Sequence, residues 1–296
     1  MSNSKKLTRI CVVSHDAGGA EIVSSYVKRN GFDCICFLAG PAVEIFRRKL
    51  GQITTGSLDE CLEQSDWLLC SLGWSVHEWQ ALTLAKKQGI RVIVFLDHWT
   101  GYKARFERDG EISLPDEIWV GDEAAEMIAQ KTFSNIPIKL IPNPYHADIK
   151  DEIDLLPHNT NSNKTGLKIL YVCEPTAPDS DESKRSGYTD HDALRYFFEC
   201  IIARDEQIDT ICLRPHPSES RNKYAWVSKV DGIDGIKVTI DGERSLLEEV
   251  VDNDWIVGRS SMALVVGLMA EKKVFSCIPS SGSPCSLPFK EIERLG

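Results

Sequence analysis

A chain of 296 residues with 42% hydrophobic and 26% charged content has room for two domains of about 150 residues and the composition of an ordinary globular protein. Its net charge of −10 argues against nucleic-acid binding, which rewards a basic surface, and no apolar stretch approaches the length of a membrane span. The ten cysteines form no CxxC pair and most sit in apolar runs (Cys11, Cys34, Cys36, Cys70, Cys173, Cys212, Cys277), so they read as reduced core residues; with no signal-peptide core in Met1 to Arg9, a cytoplasmic protein is expected.

Arg9 to Ser14 reads as a strand, and Gly18-Gly19 followed by Ala20-Glu21-Ile22-Val23 as the opening of a helix. The turn His15 to Glu21 lacks the GxGxxG spacing of a dinucleotide fingerprint, which leaves close helix packing or close approach of a ligand as uses for the two glycines. Cys34 to Ala39 is a second strand with a helix after Pro41. Asp66 to Leu72 is a third, followed by a helix from about His77 to Gly89. Arg91 to Leu96 is the fourth and clearest strand, and it ends at Asp97-His98-Trp99 before a polar aromatic loop that runs to Gly110. Glu117 to Val120, a helix from Asp122 to about Phe133 and Ile138 to Ile141 complete an alternation that implies a parallel sheet covered on both faces.

Pro142-Asn143-Pro144 breaks the alternation, so the domain boundary is expected there, dividing the chain into 1–143 and 144–296 with a polar connecting segment over Asp151 to Gly166. The second half resumes with a strand over Leu167 to Cys173, a long polar loop from Glu174 to Thr189 expected to be a mobile lid or partly disordered, and a helix from about Asp190 to Arg204. The strand Thr210 to Leu213 leads to Arg214-Pro215-His216-Pro217, with Ser218 placed to cap the next helix. Ile236 to Ile240, a short helix over Ser245 to Val251, the strand Trp255 to Gly258, an apolar helix opened by Arg259-Ser260-Ser261 and the strand Val274 to Ile278 follow.

Three groups of residues carry chemistry. His216 stands at the carboxyl end of a strand, where ligands of open α/β sheets bind, and Pro217 holds it extended; Arg214 projects from the same strand face. Ser260 and Ser261 stand at a strand-to-helix junction, where free N–H groups and the helix dipole favour a phosphate, although a serine there also serves as a plain helix cap. Asp16, Asp97 and Glu107 lie at or beyond strand ends of the first half, where a carboxylate could act as a base. The spaced acids Asp179-Ser180-Asp181, Asp190-His191-Asp192 and Asp252-Asn253-Asp254 could supply oxygen ligands to Mg²⁺, but solvated charge accounts for them better, and no metal is expected.

The order Arg214-Pro215-His216-Pro217 then Ser260-Ser261, inside a twin α/β chain, resembles the HP and SS motifs of bacterial sialyltransferases and polysialyltransferases of the GT-B fold. That resemblance implies two Rossmann-like domains with parallel sheets facing across a cleft: an N-terminal acceptor domain and a C-terminal donor domain. It implies an inverting, metal-independent transfer of a nonulosonic acid, of the sialic, pseudaminic or legionaminic type, from a CMP-linked donor to a glycan or protein hydroxyl. No further cofactor is implied. Asp16 or Asp97 would be the base and His216 would act on the departing phosphate, with Arg214, Pro217, Arg259, Ser260 and Ser261 lining the nucleotide site. UDP-sugar 2-epimerases share the twin-domain plan, and a nucleotide-sugar-binding protein without activity is the third alternative.

Overall fold

The computed structural model describes residues 9–157, 166–175 and 187–296. The chain divides into two compact units, Met1–Asp148 and Ile149–Gly296. Each is built on its own six-stranded sheet. The first unit contains β1 (Arg9–Ser14), α1 (Ala17–Asn30), β2 (Asp33–Leu38), α2 (Ala42–Leu50), α3 (Leu58–Glu63), β3 (Trp67–Ser71) and α4 (Val76–Lys87). It continues with β4 (Arg91–Leu96), α5 (Tyr102–Arg105), the hairpin β5 (Glu107–Arg108) and β6 (Glu111–Ile112), β7 (Glu117–Val120), α6 (Glu123–Thr132) and β8 (Ile138–Leu140). Its sheet runs β2-β1-β3-β4-β7-β8 with every pairing parallel.

The division between units falls inside α7 (Pro144–Leu155). The second unit then contains β9 (Leu167–Val172), α8 (Asp190–Ile202), β10 (Ile208–Arg214), a 3-10 helix over Arg221–Lys229, β11 (Lys237–Ile240), α9 (Leu246–Asp252), β12 (Trp255–Gly258), α10 (Met262–Met269), β13 (Lys273–Ser276) and β14 (Ile292–Arg294). This sheet is also wholly parallel, in the order β11-β10-β9-β12-β13-β14. The apolar runs seen in the sequence are its strands, most deeply buried in β9, β12 and β13 at the middle of the sheet. Ile10, Val12, Leu69, Ile93 and Phe95 build the first core with Val23 and Phe46, while Ile169, Ile211, Leu213, Val257 and Phe275 build the second with Phe197 and Phe198.

Each order contains one reversal, between β1 and β3 in the first sheet and between β9 and β12 in the second. Connections leave in opposite directions at such a point and open a crevice outside the carboxyl ends of the two strands. The twin parallel architecture is the one expected, with differences at its joints. Pro142-Asn143-Pro144 starts a helix instead of a linker: the Asn143 side chain accepts the N–H groups of Tyr145 at 3.0 Å and His146 at 3.4 Å, and Pro144 takes the first helical position, where its missing N–H costs nothing. The 3-10 helix is capped by Ser220, not Ser218. The expected lid falls largely on residues 176–186, outside the described residues, as does part of the connecting segment at 158–165. Among the described residues no helix is long and apolar enough to cross a membrane.

Candidate functional site

At the reversal in the first sheet, β1 runs out into His15-Asp16 and β3 into Gly73-Trp74. Asp16 holds the N-cap position of α1, but its side chain makes no cap bond. One carboxylate oxygen lies 2.8 Å from His15 Nδ1 and the other accepts the Trp74 N–H at 2.9 Å, so this carboxylate ties the two sides of the crevice together. Beneath it Glu78, in the first turn of α4 and fully buried, accepts the backbone N–H of His15 at 2.7 Å and of Asp16 at 3.4 Å through Oε1.

The glycines follow from this crowding. A Cβ on Gly73 would lie 1.8 Å from Asp16 Oδ2, one on Gly19 1.9 Å from Ser71 Oγ, and one on Gly18 2.6 Å from Asp97 Oδ2. Close packing of α1 against the ends of β3 and β4 is therefore the use of the Gly18-Gly19 pair. Asp97, at the end of β4, accepts from Arg105 Nη1 at 2.8 Å, and the same guanidinium nitrogen donates to the Leu72 carbonyl at 2.9 Å. Of the two expected bases, Asp97 is thus held in an ion pair and Asp16 in a carboxylate–imidazole pair. Next to Asp97, burial holds the His98 imidazole below its ordinary value, against the opposing pull of the Asp97 charge. Glu107 is exposed on the β5–β6 hairpin.

At the reversal in the second sheet, the segment Gly258-Arg259-Ser260-Ser261 leads from β12 to α10, and the turn before the helix is already occupied by a carboxylate. Glu174, just beyond β9, accepts the N–H of Arg259 at 2.5 Å and of Ser260 at 3.1 Å. Its own carbonyl accepts from Arg259 Nη2 at 2.7 Å. Burial pushes the Glu174 carboxyl above the usual range, countered by the Arg259 charge and the backbone donors. Two N–H groups of the strand-to-helix junction therefore hold the Glu174 carboxylate. Ser261 is the N-cap of α10 and accepts the Ala263 N–H at 3.2 Å, while the Ser260 hydroxyl accepts the Ser286 N–H at 3.3 Å.

His216 is exposed beyond the end of β10, and Pro217 beside it is exposed too. Its Nδ1 lies 2.7 Å from Ser218 Oγ and accepts the Ser218 N–H at 3.2 Å, so the neutral ring carries its proton on Nε2. Because β10 and β12 flank β9, the His216 and Ser260 segments leave the same edge of the sheet. Arg214 makes a structural ion pair, the alternative to a cation facing a phosphate with His216: its Nη1 pairs with buried Glu249 at 2.5 Å and donates to the Arg244 carbonyl at 3.0 Å.

Among the described residues no group of three or more His, Cys, Asp or Glu is placed to hold a metal ion. Asp190 pairs with Lys223, Asp192 completes the capping box with Thr189, Asp252 pairs with Arg244, and Asp254 accepts the Lys168 N–H at 3.0 Å. Asp179-Ser180-Asp181 lies outside the described residues. The sequence reading missed Glu78, Glu174 and Arg105; an acid directly after an apolar strand, as in Cys173-Glu174, was the one local signal available.

No protein-family model matches the chain, and no curated protein matches it. Solved structures do share its fold. S. aureus MnaA, in a co-structure with UDP, is similar with a TM-score of 0.61 at 11% identity, over 91% of this chain and 78% of that one. The UDP-GlcNAc 2-epimerase of Neisseria meningitidis bound to UDP-GlcNAc gives 0.57 at 11% identity, over 91% and 82%. MurG of Acinetobacter baumannii gives 0.52 at 10%, over 96% and 80%. At such identities the likeness shows the fold, two Rossmann-like parallel sheets of the GT-B type. It also corrects the expectation raised by the HP and SS pairs: the similarity runs to UDP-GlcNAc 2-epimerases and not to sialyltransferases, so CMP dependence and transfer of a nonulosonic acid are withdrawn.

Proposed function

We propose that the chain is an enzyme acting on a UDP-linked sugar, of the 2-epimerase type, that inverts C2 of an N-acetylhexosamine: the C2 proton is removed as the C1–O bond to UDP breaks and a C1=C2 double bond forms, and a proton then adds to the opposite face of C2 as the bond to UDP re-forms. The observation that carries this is the Asp16–His15 pair, 2.8 Å apart at the reversal of the first sheet with both side chains about one-third exposed. A carboxylate in contact with an imidazole can take a proton and hand it on, and the buried Glu78 fixes the backbone of both residues. In the second unit, the Nε2–H of His216 and the Arg259-Ser260-Ser261 segment with Pro217 are proposed to meet the phosphates of the nucleotide. Further support comes from the fold likeness to proteins solved with UDP and UDP-GlcNAc.

The test is incubation with UDP-GlcNAc in D₂O with no acceptor, followed by proton NMR. Deuterium should enter the inverted carbon and a second set of anomeric signals should grow. Asp16→Asn should slow both by about 10²–10⁴-fold, the usual worth of general acid–base catalysis. Absence of exchange, with sugar transfer appearing only when a glycan acceptor is added, would make the chain a UDP-sugar transferase instead.

A further inference from the structure

We infer that Trp74 is a platform on which the sugar ring of the ligand stacks, an inference that rests on the first unit's crevice being a sugar-handling site. Trp74 is 62% exposed, unusual for the largest apolar side chain. It is nevertheless held from several sides. Its N–H is anchored on Asp16 Oδ2 at 2.9 Å, the preceding Gly73 carbonyl accepts from Arg108 Nη2 at 3.2 Å, and the following Ser75 caps α4. The indole lies against Gly101, whose φ of 70° requires glycine and whose missing Cβ would stand 3.2 Å from the ring, and the Arg105 guanidinium carbon is 5.6 Å from the ring centroid.

An aromatic ring that is fixed yet open binds with little loss of conformational freedom, and covering it removes apolar surface from water. The surroundings select the occupant. The crevice edge beside the indole carries the carboxylates of Asp16 and Asp97 and two guanidiniums, Arg105 paired with Asp97 and Arg108 bonded to the Gly73 carbonyl. With its charges balanced, that edge holds no surplus of cations for a phosphate. It suits a neutral ring with one apolar C–H face to lie on the indole and a rim of hydroxyls to donate to carboxylates, which describes a pyranose. A protein partner would need an apolar patch of several hundred Å², whereas here the apolar residue beside Trp74 is Val76, 54% exposed, and the rest of the edge is polar.

The indole N–H resonances of the seven tryptophans, with Trp74 assigned through Trp74→Phe, provide the readout. Addition of N-acetylglucosamine alone, or of UDP-GlcNAc, should move the Trp74 signal, and UDP alone should not. Trp74→Ala should weaken saccharide binding about tenfold and leave UDP affinity unchanged, with Trp74→Phe retaining most of it. A Trp74 signal unmoved by saturating saccharide, or moved equally by UDP, overturns the platform. The two proposals fail separately: epimerisation with a silent Trp74 removes the platform alone, and a Trp74 that binds saccharide in a chain without epimerase activity leaves the platform standing and removes the proposed reaction.

Discussion

Two carboxylates in the second unit are largely withdrawn from water and partnered in different ways. Glu249, 2% exposed, relies on Arg214: burial raises its carboxyl above the usual range and the guanidinium opposes the rise. Removing that partner strands a buried charge, so Arg214→Leu should cost about 3–5 kcal/mol in urea unfolding, and Arg214→Leu with Glu249→Leu should recover much of it. A loss confined to nucleotide binding would return Arg214 to the phosphate site. Glu174 relies on backbone N–H groups and Arg259, and burial still leaves its carboxyl raised. A raised acid favours the folded state at low pH, and that contribution is lost as pH climbs from the unfolded-chain value through the higher folded one. Between pH 4 and 7 the wild-type chain should therefore lose stability relative to Glu174→Gln; parallel profiles would contradict this. Asp16, Asp97 and His216 were legible in the sequence because each follows an apolar strand. The acids behind the strand ends were not, since Glu78 lies 63 positions from His15 and Glu174 lies 85 positions from Arg259, and only the folded sheet brings them together.

At the scale of elements, strands β1, β4, β7 and β12 coincide with the sequence expectation because their apolar runs have turn formers on both sides. Helix α3 was missed although its signal was present: Ser57 and Glu60 form a reciprocal capping box, but six residues are too few to show a periodicity. The β5–β6 hairpin was also missed. Its turn residues Asp109 and Gly110 have φ of 52° and 78°, the left-handed pair that an Asp-Gly hairpin turn uses. Beyond its local Asn143 cap, α7 is held by tertiary contacts that no local pattern encodes. Asp148 accepts from Ser25 Oγ at 2.6 Å and Arg29 Nε at 2.7 Å on α1, and from Lys49 Nζ at 3.2 Å on α2. Burial alone would raise this carboxyl, and these three bonds instead hold it below the usual range. Its contribution is therefore present above the unfolded-chain value and lost as pH falls through the lower folded one. Asp148→Asn should cost about 2 kcal/mol at pH 7, and the difference from wild type should narrow toward pH 3; a constant difference would mean that the amide makes the same bonds.

For the whole molecule, regular alternation made the twin parallel sheets readable, and each sheet then places a crevice wherever its strand order reverses. The chemistry was less readable, because one architecture hosts many reactions and the dipeptides His216-Pro217 and Ser260-Ser261 serve equally as a strand end and a helix start. Ligand preference is where the proposed function meets the stability of the chain. A ligand that binds only the folded state adds RT ln(1 + [L]/Kd), about 2.7 kcal/mol at a hundredfold excess over Kd, which is a Tm rise of roughly 5 °C or more in a chain of this size. UDP should give such a rise and CMP a smaller one. His216→Ala should reduce the UDP shift, whereas Asp16→Asn should leave it intact, because Asp16 is assigned to proton transfer in the first unit. Glu174→Gln should enlarge it: a phosphate seeking the Arg259 and Ser260 N–H groups competes with the carboxylate that accepts from them, and an amide is the weaker competitor. A UDP shift that is indifferent to Glu174→Gln and to His216→Ala would place the nucleotide elsewhere on the chain and leave Glu174 as the permanent anion of that helix start.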